Sequence, residues 1–161
     1  MDASGIAHVA FGFSSLVLGI GNFSLSKGTD LHRLVGVSYV LSTFGLNLTS
    51  LLIYKSSGGF GVFHILAFIN LAILLGGFFT VFLRRPRRQW LRYHYYLMCW
   101  SYVGLWAITA AEVMVRVVGL RLSVAMAVPA VMVMLLGGTL IWRRERQALA
   151  HLARSRTINV A

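Results

Sequence analysis

The chain has 161 residues, of which 58% are hydrophobic and 12% charged, with a mean hydropathy of +0.76 and a net charge of +11. A soluble domain carries about 25% charged residues, so this composition excludes an ordinary water-soluble fold and predicts an integral membrane protein. Cys99 is the only cysteine, which excludes an internal disulfide, and its place inside an apolar run suits inert packing.

Five apolar runs follow in chain order, at residues 6–26, 31–54, 62–83, 90–117 and 124–142. A helix rising about 1.5 Å per residue needs about 20 residues to cross a hydrocarbon core of about 30 Å. Each run meets that length, the last only just. Strands are excluded, because a lipid-exposed strand leaves backbone groups unpaired. The leader "MDASG" is acidic and no A-x-A site follows the first run, so that run is expected to remain as a span rather than leave as a signal peptide.

The connections are short. "SKGTD" offers Gly28 for a turn and Thr29 or Asp30 as the next helix cap. "KSSGGFG" reads as a flexible turn, "RRPRRQ" as a basic turn in which Pro86 stops the helix, and "VGLRLS" offers Ser123 as a cap. Such connections make neighbouring spans antiparallel. The expected fold is all-α: a polytopic membrane protein with five transmembrane helices. Spans one to four form an up-down bundle and the fifth helix lies beside it. Residues 1–161 form a single integral membrane domain. Residues 143–161 are a basic tail, read either as a short helix on the anionic leaflet or as a solvated segment, with no special role for His151.

Charge sets the expected orientation. Twelve of the fifteen Lys and Arg residues fall on one side, and only Lys55, Arg116 and Arg121 on the other. The positive-inside rule puts the twelve in the cytoplasm of a bacterial inner membrane, with the N-terminus outside and the C-terminus inside. The net charge is therefore a topology signal, and nucleic acid is not expected as a partner.

Four runs carry one histidine each near their first residues: His8, His32, His64 and His94. With alternating spans, His8 and His64 fall at the outer level and His32 and His94 at the inner level. In a four-helix bundle each pair lies on diagonal helices and can point at a shared centre. The two levels are separated by about 16 residues, roughly 24 Å at about 1.5 Å per residue. Glycines one turn deeper than two of these histidines, Gly12 and Gly36, leave room for a flat ligand beside the imidazole. Phe68 and Met98 occupy the matching positions of the other two spans. Arg33 and Arg92 lie beside the inner histidines, where carboxylates of a ligand would want cations. Gly21, Gly45 and Gly77 sit on other faces and suit close helix packing.

Glu112 is the only acidic residue inside a span. An ionisable group there is costly and usually paired or functional. Arg116, one turn away, offers an ion pair; the alternative is that Glu112 accepts the second N–H of an outer histidine. Trp100, Tyr102 and Trp106 lie between the two levels, in positions suited to core packing or to coupling redox centres. Trp90, Tyr93, Tyr95 and Tyr96 suit an interfacial belt. Asn47 and Asn70 are expected to bond between helices.

The topology and the alternation of histidines resemble the diheme b-type transmembrane cytochromes, in which four helices each give one axial ligand. That resemblance implies two haem b groups, one on His8 and His64 and one on His32 and His94. It implies electron transfer across the membrane from a quinol or another redox partner. The motifs "KGT…LHR…G..Y" (Lys27, Gly28, Thr29, His32, Arg33, Gly36, Tyr39), "GGFGVFH" and "H…M..SY..L….AE" (His94, Met98, Ser101, Tyr102, Leu105, Ala111, Glu112) resemble a family of small bacterial integral membrane proteins catalogued as a domain of unknown function. The resemblance covers residues 5–117 and brings no activity with it. The alternatives left open are a histidine-bound copper or zinc at one level, or a non-redox protein, either a small transporter or an accessory subunit of a larger membrane complex or homo-oligomer.

Overall fold

The computed structural model describes residues 3–53, 61–86, 89–119 and 121–158. Those residues form five helices: α1 (Ala3–Ser24), α2 (Asp30–Leu52), α3 (Val62–Leu83), α4 (Trp90–Arg116) and α5 (Leu122–Ile158). All five are long and apolar enough to cross a membrane. Lys55 with most of its turn, and Arg87 and Arg88, lie outside the described residues, as do the side chains of Arg116, Ser123, His151, Arg154 and Arg156.

The helices pack in chain order. α1 lies on α2, α2 on α3, α3 on α4 and α4 on α5, while the α1–α4 seam that closes the four-helix ring is the loosest contact. Among the described residues, the diagonal partners, α1 with α3 and α2 with α4, have no close backbone approach, and α5 packs on α4 alone, outside the ring. The core runs along the ring axis through Tyr39, Val40, Leu46, Leu74 and Leu105, with Leu16, Phe78, Met98 and Tyr102 packed against it. Large apolar side chains such as Phe13, Leu41, Leu83 and Leu135 point outward and are well exposed. In water such a surface would aggregate; in lipid it is the required one.

Local signals explain the helix ends. Thr29 is the N-cap of α2, its hydroxyl accepting the His32 N–H at 3.2 Å. α3 ends at Leu83, where Arg84 takes a left-handed conformation (φ 48°) ahead of Pro86. Gly45 and Gly77 act as close-packing sites: a Cβ at Gly45 would meet the Phe11 ring at 2.9 Å, and one at Gly77 would meet Met98 Sδ at 2.8 Å.

Three expectations are corrected. α5 does not end near Trp142 with a separate tail; it continues as one helix of 37 residues to Ile158. The helix runs on through Pro129, Gly137 and Gly138, and the two glycines pack against Val103 and Trp100 of α4. Asn47 does not bond across helices; its amide donates to Thr43 O of its own helix at 2.7 Å. Asn70 is buried and abuts Gly104 of α4, and its Oδ1 has no hydrogen-bond partner among the described residues.

Candidate functional site

Antiparallel packing brings the start of α2, the end of α3 and the start of α4 to one end of the bundle, beside the end of α1. This basic end holds His32 and His94 on diagonal helices. Both histidines line a single cavity of about 640 Å³, within the roughly 300–1,000 Å³ typical of small-molecule and cofactor sites. Val37, Val40, Phe78, Phe82, Leu91 and Met98 give it apolar walls, Tyr102 and Cys99 face it from α4, and Lys27, Arg33 and Arg84 supply cations. Gly36 lines the cavity as well. A Cβ there would come no nearer than 3.6 Å to the Asn22 side chain.

The two imidazoles are set differently. His94 Nδ1 lies 2.9 Å from Gly77 O on α3. A carbonyl only accepts, so Nδ1 must carry the proton and the neutral ring keeps its lone pair on Nε2. That is the tautomer in which histidine binds a metal while its other nitrogen is held by a backbone carbonyl. The close approach at Gly77 is what brings the α3 carbonyl within reach of His94. His32 stands in the first turn of α2, and its Nδ1 is buried with no hydrogen-bond partner among the described residues. A buried ring nitrogen without a partner is unfavourable unless a ligand satisfies it.

The opposite end is built otherwise. His8 Nδ1 lies 3.2 Å from Thr49 Oγ1. The Thr49 hydroxyl has one proton and lies 2.9 Å from both Gly45 O and Leu46 O; shared between these carbonyls, it leaves the oxygen to accept from His8. His8 Nε2 then faces Glu112 Oε2 at 3.8 Å. That contact ties α1 to α4 across the loosest seam. Glu112 thus lies beside a histidine at this end of the bundle. His64 is buried, and its Nδ1 accepts the Gly61 N–H at 3.0 Å while its own N–H bonds back to Gly61 O. An Nδ1 that accepts leaves the proton on Nε2, the reverse of His94. A Cβ at Gly12 would meet Leu46 at an ordinary 3.5 Å, so the space beside His8 is occupied by α2.

Arg33 lines the cavity but is engaged by Asp30 at 3.1 Å and is largely exposed. Arg92 turns away from the cavity: its Nε bonds Glu145 Oε1 at 2.9 Å, and Tyr96 donates to Glu145 Oε2 at 2.6 Å, joining α4 to α5. Two residues from His94 correspond to about 200° of helical rotation, which places the arginine on the opposite face. The cation that sequence reasoning missed is Lys27. Its signal was its place just beyond a helix C-terminus, where orphan carbonyls attract positive charge.

A family model described as "Predicted membrane protein (DUF2306)" matches residues 5–143. The chain belongs to this family. Membership of DUF2306 takes in α5 as far as Arg143, further than the motif resemblance reached, and it accords with the five membrane helices. No curated protein and no solved structure matches the chain.

Proposed function

We propose that this chain is a b-type membrane cytochrome, in which His32 and His94 would hold a haem in the basic-end cavity. One observation carries the reading: two histidines on diagonal helices line one largely apolar cavity, and the bond from His94 to Gly77 O leaves Nε2 free to ligate. Among the described residues no group of three or more His, Cys, Asp or Glu could hold a metal ion. A two-histidine site suits a metal that arrives with its own macrocycle nitrogens better than it suits bare zinc or copper. When bound, haem supplies reversible one-electron chemistry at its iron, tuned by axial ligands and nearby charge. The chain's own residues bind and orient the group: Gly77 O fixes the His94 ring, Val37, Val40 and Phe78 exclude water, and Lys27 and Arg84 bring positive charge to the mouth.

Transfer across the whole membrane needs a second group at the opposite end. There His64 would have to release Gly61 and His8 would have to leave Glu112. The basic end is therefore the better-formed level, and haem stoichiometry separates the two arrangements. Purified protein, oxidised and then reduced with dithionite, is expected to give a b-type absorption band with one haem per chain. Two per chain supports the full diheme layout. A colourless protein from haem-replete cells overturns the reading in favour of a non-redox membrane subunit.

The same proposal places the basic end in the cytoplasm of the bacterial inner membrane, from the excess of Lys and Arg there. Reporter fusions at Arg85 and at Lys55 are expected to report the cytoplasm and the outside respectively. The reverse result would invert the direction in which electrons enter.

A further inference from the structure

Lys27 lies in the connection between α1 and α2 and is half-buried. Its Nζ donates to Asn22 O at 2.6 Å and to Phe23 O at 3.1 Å, carbonyls in the last turn of α1. The ammonium sits 5.6 Å from the Phe23 ring centre. These contacts hold the cation at the cavity wall instead of letting it extend into water. Partial burial lowers its pKa below that of free lysine.

An ammonium has three N–H donors, and two are engaged by carbonyls. A charge this withdrawn from water is normally paired. No carboxylate of the described chain pairs with it. Asp30 bonds Arg33, Glu145 bonds Arg92 and Tyr96, and Glu112 lies at the other end of the bundle. The other cavity cations differ: Arg33 has its counter-ion and Arg84 is exposed. Lys27 is thus a fixed cation on an apolar cavity with one donor left and no anion among the described residues.

We propose that Lys27 is the anion anchor of this cavity, its remaining N–H binding a carboxylate carried by an apolar occupant. On the reading above, which this inference deepens, that carboxylate is a haem propionate; the carboxylate of a long-chain fatty acid has the same chemistry. The test compares haem with its dimethyl ester, which has no free carboxylate, in wild type, Lys27→Gln and Lys27→Arg. Wild type in detergent is expected to bind haem roughly ten- to a hundredfold more tightly than the ester, the range of one charge-assisted hydrogen bond. Lys27→Gln should lose most of that preference, and Lys27→Arg should keep part of it. The wild-type comparison needs no mutation, so a folding defect in Lys27→Gln cannot imitate the result. Equal binding of haem and ester by wild type, with haem affinity unchanged in Lys27→Gln, overturns the inference and leaves the cytochrome reading standing. If wild type binds no haem but binds oleate, and Lys27→Gln weakens oleate, the cytochrome reading falls and the anchor stands.

Discussion

His94→Ala is expected to abolish the reduced b-type absorption band of the basic-end site, whereas His8→Ala should leave that band in place. The difference follows from where the two rings sit. His94 presents Nε2 in a cavity shared with His32, with its tautomer fixed by Gly77 O; His8 faces Glu112 and Thr49 at the other end of the bundle. His32→Ala should match His94→Ala, because a bis-histidine site loses its low-spin signature when either ligand is gone. The truncation at His94 also removes one of the donors to Gly77 O, which keeps the Thr80 hydroxyl at 2.7 Å, at a cost of about 0.5–1.5 kcal/mol. Stability in detergent therefore has to be followed beside the spectrum. His94→Gln is the second variant, since its amide can still donate to that carbonyl while offering iron a far poorer ligand. Band loss in both variants, with a near-normal melting temperature in His94→Gln, marks ligation rather than collapse. A band that survives either His94 variant at full intensity removes the basic-end cavity from consideration as the haem site.

The five spans were legible because an apolar window of about 20 residues has few physical readings other than a membrane helix. Thr29 was legible as a cap for an equally local reason: its hydroxyl needs only the backbone N–H three residues on. What escaped the sequence depended on facing elements or on rotation. The length of α5 was missed because the apolar signal stops at Trp142, yet "RRERQALAHLAR" consists largely of strong helix formers that continue the helix. Asn47 was given a partner on another helix, but a carbonyl four residues back in its own turn competes effectively for a short polar side chain. Arg92 was chosen for its nearness to His94 in the chain, and helical rotation carried it to α5. Lys27 was passed over because it sits in a connection, although the end of α1 folds that connection back onto the cavity.

The histidines divide along the same line. Their alternation between ends can be read from spacing alone, and the pairing of His32 with His94 at one cavity agrees with it. Their tautomers cannot be read that way. The state of His94 is set by a carbonyl on α3, and that of His64 by the backbone N–H of Gly61 just before its own helix. Two residues of one type, at equivalent places in the pattern, therefore differ in whether Nε2 has a lone pair to give.

Among the described glycines, Gly19 is the one where an added methyl group is expected to have the largest effect. A Cβ there would overlap the ring of Tyr102, which lies directly on the backbone of α1. The ring cannot easily yield. Its hydroxyl donates to Leu16 O at 2.9 Å, and Phe23, Tyr39 and Trp106 surround it with centroids at 5.2, 6.0 and 6.4 Å. Tyr102 also lines the basic-end cavity and joins α4 to α1 through Leu16 O and Gly19. Gly19→Ala must therefore either push the ring into the cavity or widen the seam. Overpacking of this kind costs about 1–3 kcal/mol, and the melting temperature in detergent should fall while ligand affinity falls with it. Tyr102→Leu removes the obstructing ring along with its bond to Leu16 O, so it should be destabilising alone. In the Gly19→Ala/Tyr102→Leu double variant the two costs should not add, because the new methyl group no longer meets a ring; coupling between touching residues is typically about 0.5–3 kcal/mol. Simple additivity would mean that Gly19 and Tyr102 do not touch, and the cavity wall would have to be redrawn without the α1 contact that now forms it.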